Sequence, residues 1–337
     1  MSKMNSSTRN LRVRLHYSPT PNGWKVAILL LEANIDFDVI PVDLARGEQY
    51  GEDFLRISPN GKMPAVEVIR SAEADHDRST RSLQLNTVDD VEDHGASSSS
   101  NFEVQETLFE SGAIMYWLAK RWFRKECRVF FPNKFEKDIL EWLFWVNSNL
   151  GPVAGSVSHY LYYAPKIVQA QLTAAPPPRT TDGGDEQPTC EAKETDPSRL
   201  RAAAAAAACS NITEYGLARA RTTEYSRLLH VLDKRVERTS GFLAGDKYTI
   251  ADMAAWPWVK PWKRFEKQNR SLKDCGLIYA DAWYEKIKQR PAVVQALKVM
   301  EKEARDMQKL RDSKDSVNYT SSLGEKERKI LFHKSKM

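Results

Sequence analysis

Ser58-Pro59-Asn60-Gly61-Lys62-Met63-Pro64-Ala65-Val66, read with Glu110-Ser111-Gly112-Ala113-Ile114 further along, decides how this chain folds. The first stretch is a turn that delivers a proline to the mouth of a strand. The second is a helix start carrying an acid and a hydroxyl. Entry through a cis proline leaves the N–H and C=O of the preceding residue, here Met63, without a ladder partner. Those two groups can pair with an extended peptide as they would with an added strand. Ser111, the first N–H groups of its helix and the positive end of the helix dipole suit a carboxylate. Glu110 suits an ammonium. Together the two stretches read as a socket for the zwitterionic end of a small peptide.

Working outward, Val13 to Tyr17 reads as a strand, Trp24 to Ala33 as a helix and Asp38 to Val42 as a second strand. Glu52 to Ile57 is a short helical piece. Ala65 to Ile69 is a third strand, Thr107 to Phe109 closes a hairpin with it, and Gly112 to Arg121 is the next helix. The order βαβ then ββα is the thioredoxin arrangement. The hairpin tip is abnormal. From about Arg70 to Glu103 the chain is polar and charged, where two to five residues would normally do; we read a disordered insertion there. From Phe135 onward the pattern is helical, with Ile139, Trp142, Leu143, Trp145 and Val146 at helix spacing. A second insertion, about Leu172 to Ile212, holds Pro176-Pro177-Pro178, Gly183-Gly184 and the run Ala202 to Ala208. The alanines suit a helical turn or two and the rest suits loop. Tyr215 to Val236 resumes as a long helix. Thr249-Ile250-Ala251-Asp252 spells a capping box, which we assign to folding. Trp256, Trp258 and Trp262 read as core.

The boundaries that follow are an α/β thioredoxin-like domain over 11–122, an all-α domain over 135–300 and a basic tail over 301–337. A chain of 337 residues suits about two domains. Its 42% hydrophobic content and nine Trp are enough for two cores. Much of the net charge of +5 sits in the tail from Lys302 to Lys336, which reads as a solvated helix or a frayed end rather than a nucleic-acid arm. No run is long and apolar enough to span a membrane, and Met1 to Asn10 holds no hydrophobic signal region. Cys127, Cys190, Cys209 and Cys275 are scattered, with neither CxxC nor metal spacing, so a reducing cytoplasm is expected and no metal.

The motifs go further than the composition. Tyr17-Ser18-Pro19-Thr20-Pro21-Asn22-Gly23-Trp24-Lys25-Val26, Gly47-Glu48-Gln49-Tyr50, the two opening stretches, Trp142-Leu143-Phe144-Trp145, Leu150-Gly151-Pro152, Tyr248 to Asp252 and Trp256-Pro257-Trp258 occur in one order. In that order they resemble the glutathione transferases, most nearly the bacterial Nu class and the yeast nitrogen-regulator and prion relative. The resemblance covers roughly 11–70, 104–170 and 215–300. It implies a thioredoxin-like domain followed by an all-helical one, glutathione as cosubstrate, and a homodimer. It further implies Gln49 and Lys62 at the glycyl end, Met63 and Pro64 as the strand-like anchor, and Glu110 and Ser111 at the γ-glutamyl end.

Only the thiolate of glutathione attacks, so an enzyme using it must stabilise negative sulfur. Thr20 offers a hydroxyl and Asn22 an amide, at the positive end of the first helix. A depression of about one pKa unit is ~1.4 kcal/mol, within reach of one or two hydrogen bonds to an anion. Spacing alone favours simple helix capping by these two residues. The resemblance favours catalysis, because Nu-class enzymes place the matching threonine and asparagine at sulfur. Ser18 ranks third and Tyr17 last, since Tyr17 should point into the domain. No cysteine precedes Cys127, so bound glutathione must supply the sulfurs of any disulfide exchange at this position. The resemblance implies a glutathione-dependent disulfide reductase serving redox homeostasis, with conjugation or peroxidase turnover as a minor activity. The rival expectation is a non-catalytic regulatory or scaffold protein of the same fold that binds glutathione and protein partners. For the acceptor, His159, Tyr160, Tyr162 and Tyr163 are candidate lining residues. Ser156 and Ala220 stand where relatives carry glutamine and arginine, with Arg219 and Arg221 alongside.

Overall fold

A computed structural model describes residues 11–44, 46–71, 102–165, 197–222, 224–239, 241–259 and 271–312. Their chain divides into two compact units. One takes in the described parts of Met1–Phe144, Thr239–Pro257 and Trp283–Met337; the other takes in those of Trp145–Arg238 and Trp258–Ala282.

The first unit is built on a four-stranded sheet: β1 (Leu11–Tyr17), β2 (Phe37–Pro41), β3 (Ala65–Ser71) and β4 (Phe102–Phe109), in the order β2-β1-β3-β4. β1 runs parallel to β2 and antiparallel to β3, and β3 runs antiparallel to β4. Alternation in β1 sets the two faces. Leu11, Val13, Leu15 and Tyr17 are buried, while Arg12, Arg14 and His16 look the other way. On that second face Arg12 pairs with Asp38 at 2.8 Å and His16 with Glu67 at 2.9 Å. The His16 hydrogen bond, with Arg14 nearby, holds the Glu67 carboxyl below its ordinary value despite partial burial.

Helix α1 (Pro21–Glu32) buries Val26, Ala27, Ile28, Leu29 and Leu30. At roughly 1.5–3 kcal/mol for each large aliphatic side chain, that face anchors the helix. α2 (Glu52–Ile57) sends Phe54 into a cluster with Val42, Met63 and Ala65. α3 (Ser111–Trp117) is extended by a π turn, Leu118–Trp122. α4 (Arg124–Cys127) and α5 (Glu136–Trp145) follow. Late in the chain come α9 (Ile250–Val259), α10 (Ile278–Lys288) and α11 (Pro291–Asp312). Arg290, just before α11, reaches Glu32 at the end of α1 at 2.5 and 2.8 Å and lies 4.0 Å from the Tyr248 ring centroid.

In the second unit α6 (Gly151–Ser158) lies between two π turns, Val146–Leu150 and His159–Tyr163, and α7 (Pro197–Thr222) and α8 (Glu224–Arg238) follow. A Cβ at position 151 would come within 3.1 Å of the Trp258 indole nitrogen, so glycine is what lets this indole approach. Tyr225 Oη donates to the Trp258 carbonyl at 2.8 Å.

Two expectations need correcting. Arg70 pairs with Glu103 and Ser71 with Phe102, so both strands of the hairpin run further than read and the ladder takes in the ends of the supposed insertion. Residues 72–101 lie outside the described residues. The alanine run is not a turn or two within a loop: Ala202 to Ala208 sit inside the 26-residue α7, and the long helix expected from Tyr215 is instead the end of α7 followed by α8. Alanine carries the highest helix propensity, and at 26 residues the helix is well above the roughly 12–15 below which an Ala-rich helix is marginal. Among the described residues, no helix is long and apolar enough to cross a membrane.

Candidate active site

Sheet register gathers the residues singled out above. Ala65, the first residue of β3, pairs with His16 near the end of β1 and with Phe109 at the end of β4. The segments beyond those positions therefore leave the sheet at one edge: Ser18 to Asn22 after β1, Met63 and Pro64 before β3, Glu110 and Ser111 after β4.

Thr20 caps α1 with extended backbone angles, and its Oγ1 accepts Gly23 N–H at 3.3 Å. Its carbonyl accepts Trp24 N–H at 3.0 Å. Pro21 has no N–H, so the remaining donor of the first turn is Asn22 N–H, to which helix geometry gives no intrahelical acceptor. Accepting from Gly23 does not occupy the Thr20 hydroxyl proton, and the Asn22 side chain has no hydrogen-bond partner among the described residues. Both residues are half-buried. The turn is tight: a Cβ on Gly23 would lie 2.6 Å from the Tyr17 ring and 2.8 Å from the Ser18 carbonyl. Tyr17 is 1% exposed and packs beneath the helix start, as expected of a residue facing into the domain, and Ser18 is buried.

Met63–Pro64 is a cis peptide. The Met63 side chain is buried beside Val42 and Phe54, so the main chain is what it offers at the edge. Ser58 Oγ donates to the Lys62 carbonyl at 3.0 Å, which fixes the turn, while the Lys62 side chain is exposed and, among the described residues, unpaired. Gly61 has φ +62, and a Cβ there would press on the Gln49 carbonyl and the Tyr50 ring at 3.3 Å. Gln49 is thus packed against this turn; it is 8% exposed, and its buried Oε1 has no partner among the described residues. A buried amide oxygen without a donor is costly unless something else supplies one.

Glu110 caps α3 at φ +68, outside the usual range for a residue with a side chain, and its carboxylate is exposed. Ser111 is 4% exposed. Lys25 Nζ donates to Ser111 Oγ at 3.3 Å. Lys25 is a residue that the sequence reading passed over. Its signal was a lysine inside the apolar run Trp24-Lys25-Val26-Ala27-Ile28. Burial lowers its pKa to about 7, with Glu110 pulling the other way.

Elsewhere, Cys127 is fully buried and its thiol is pushed up to about 12 by burial and by Glu126, which leaves it inert. Cys190 lies outside the described residues. In the second unit His159 meets Tyr160 edge-on at 5.4 Å and Tyr160 meets Tyr215 of α7 at 4.9 Å, so Tyr160 is committed to an aromatic cluster. The side chains of Tyr162, Tyr163, Arg219, Ala220 and Arg221 lie outside the described residues. Among the described residues no His, Cys, Asp and Glu group could hold a metal.

Residues 20–121 match the family model for the Glutathione S-transferase, N-terminal domain, and residues 212–299 match that for the C-terminal domain. Disulfide-bond oxidoreductase YfcG of Escherichia coli (strain K12) is 31% identical over 288 residues, which span 85% of this chain and 94% of that protein. The chain belongs to the glutathione transferase family. Protein URE2 of Candida maltosa is 27% identical over 286 residues, 82% of this chain and 70% of that one. Two solved structures share the fold. A transferase of Pseudomonas putida, holding one glutathione disulfide per subunit, aligns with TM-score 0.53 at 21% identity over 88% of this chain and 94% of that one. A homologue from Lodderomyces elongisporus, holding two glutathione molecules per subunit, aligns with TM-score 0.52 at 21% identity over 86% and 98%.

Proposed function

We propose that this glutathione transferase is a glutathione-dependent disulfide-bond oxidoreductase. The observation that carries the proposal is the head of α1. There Thr20 keeps a hydroxyl proton, Asn22 keeps an amide and an N–H, and the helix dipole points its positive end outward. These are donors for an anion, and no protein thiol stands among residues 11–126 to compete as the sulfur centre. The glutathione disulfide and paired glutathiones named for the solved neighbours support the choice of ligand.

In this reading Thr20 and Asn22 hold the glutathione thiolate. The main chain of Met63, ahead of Pro64, pairs with the cysteinyl residue. Gln49 and Lys62 take the glycyl carboxylate, the amide of Gln49 meeting the tripeptide backbone. Glu110 and Ser111 take the γ-glutamyl ammonium and carboxylate. The thiolate attacks one sulfur of a small disulfide, forming a mixed disulfide and expelling a thiolate. A second glutathione thiolate attacks the glutathionyl sulfur and expels the other. Two electrons pass from two glutathiones to the acceptor, and glutathione disulfide leaves. We further assign the protein to the cytoplasm as a homodimer, without nucleic-acid or membrane partners.

Reduction of 2-hydroxyethyl disulfide by glutathione, followed through coupled oxidation of NADPH by glutathione reductase, tests this. Wild-type turnover that is lost in the Thr20→Ala, Asn22→Ala double variant, with folding retained, supports the assignment. A folded wild type that binds glutathione yet reduces no disulfide supports the regulatory reading instead.

A further inference from the structure

The far end of the α3 segment carries a second polar concavity. The π turn Leu118–Trp122, α4 and the residues leading to α5 wrap a cleft of about 540 Å³. That volume is in the range of small-molecule sites. From Ser111 to Lys120 the chain advances ~14 Å along the helix axis, at about 1.5 Å per residue, so the cleft is separate from the γ-glutamyl socket. Lys120, Arg121, Arg124, Lys125 and Arg128 line it, with Glu126 as the one acid among the lining residues. Two of the cations are held in place. Lys120 Nζ donates to both carboxylate oxygens of Glu136, at 2.7 and 2.8 Å. The Arg121 guanidinium lies 5.6 and 5.5 Å from the Trp117 and Trp122 ring centroids and 3.9 Å from Glu106 Oε2, which also accepts both indole N–H groups. Arg124, Lys125 and Arg128 are exposed and have no ion pair or side-chain hydrogen bond among the described residues. Elsewhere the chain pairs such charges locally: Arg56 with Asp53, Lys137 with Glu141, Arg227 with Glu224 and Lys288 with Glu285. Three unpaired cations crowded on one concavity, beside two fixed ones, repel one another until an anion enters.

We infer that this cleft is a binding site for a compact polyphosphate, free or carried on a nucleoside. The charge pattern selects a polyanion. A lone carboxylate or sulfate meets one weak, solvent-screened pair at a time, whereas clustered phosphates engage several cations together. Guanidinium forks match phosphate oxygens in bidentate fashion, and a lysine answers them as a point charge. Arg121 and Lys120 give the ligand a wall already in place, so binding orders less of the protein. Arg124, Lys125 and Arg128 supply the uncompensated charge from the open side. Phe131 and Pro132 add apolar lining against which a nucleoside can rest. Glu126 opposes the ligand, so neutralising it strengthens binding.

Isothermal titration of the whole 337-residue chain with inorganic tripolyphosphate, at low ionic strength and without divalent metal, tests this. Binding should be saturable, and sulfate at matched ionic strength should not displace the ligand. The Arg124→Ser, Arg128→Ser double variant should bind about 10-fold more weakly. Glu126→Gln should bind about threefold more tightly, a reading that stands even if the double variant fails to fold. Lys334→Ser, Lys336→Ser removes the same charge from the basic tail and should leave the affinity unchanged. ATP binding more tightly than tripolyphosphate assigns the nucleoside to the Phe131 and Pro132 side, and equal affinity assigns the site to the phosphate chain alone; both support the inference. No saturable tripolyphosphate binding by the wild type overturns it. So does an equal loss in the cleft and tail variants, the mark of attraction to net charge alone.

Discussion

Thr20 and Thr249 both stand at helix starts in the same unit, yet one cap is closed and the other open. Thr249 is fully buried at the head of α9. Its N–H and its hydroxyl both donate to Asp252 Oδ2, at 3.0 and 3.2 Å, while Leu243 N–H and Trp283 Nε1 donate to Oδ1, each at 2.9 Å. Every polar atom there is spent on folding. Thr20 heads α1 with Gly23 where the other helix has its acid, so nothing reaches back to it, and its one capping bond is long at 3.3 Å. The chemistry of the first residue is the same; the fourth residue decides whether the helix start is a structural knot or a place for a ligand. An acid at that position would repel a thiolate as well as consume the donors.

The contrast breaks most visibly at the closed cap. Asp252→Ala should lower unfolding free energy by about 4 kcal/mol, since three buried N–H groups and a hydroxyl lose their acceptor together. Urea denaturation measures it. The carboxyl is held up to about pKa 6, chiefly by burial, against hydrogen bonds that pull it down. A raised native pKa means that the folded state binds the proton more tightly than the unfolded chain. The associated stability is complete below about pH 4 and is lost as pH climbs through about 6, a change of about 3 kcal/mol. The stability profile of Asp252→Asn should lack that segment.

At the open cap the ranking reverses. The Thr20→Ala, Asn22→Ala double variant should lose about 100-fold in disulfide turnover, whereas Thr20→Ala alone should cost only about 1 kcal/mol of stability. Thr20→Ala should also move the ascending limb of the pH–rate profile upward by about one unit, because the thiolate loses a donor. Thr249→Ala should do the opposite, lowering stability and leaving that limb in place. Equal effects of the two threonines on stability and on the pH profile would erase the distinction.

Much of this contrast was legible in the chain. Thr-x-x-Asp against Thr-x-x-Gly is written at 249–252 and 20–23, and the βαβ–ββα order and the capping box follow from local periodicity and cap chemistry. Lys25 was not legible, because a helical pattern treats a lone lysine as a surface residue or a register fault. Only the packing of α1 on α3 shows that its amine ends inside, at Ser111. α7 was misread for a related reason. Prolines and glycines upstream of Ala202 suggested loop, whereas the alanine run and its flanks share one helix, pinned by buried Ala205 and by Cys209 donating to the Pro165 carbonyl at 3.1 Å. Such tertiary anchors leave no mark on composition.

The smallest effect belongs to Lys62, and it separates open-site electrostatics from open-site hydrogen bonding. The Lys62 side chain is exposed and makes no ion pair among the described residues, and its main chain is fixed by Ser58. Its charge therefore acts on the glycyl carboxylate through water, where a single exposed pair is worth less than ~1 kcal/mol. Lys62→Ala should raise the KM for glutathione about threefold at low ionic strength and leave kcat unchanged. Near 1 M salt the Debye length shrinks to about 3 Å, and wild type and variant should converge. The loss at Thr20 is a short-range hydrogen bond to sulfur, so it should survive the same salt. If Lys62→Ala keeps its full defect in high salt, the lysine is a closed contact rather than an open one, and it belongs with the buried donors on the other side of the comparison.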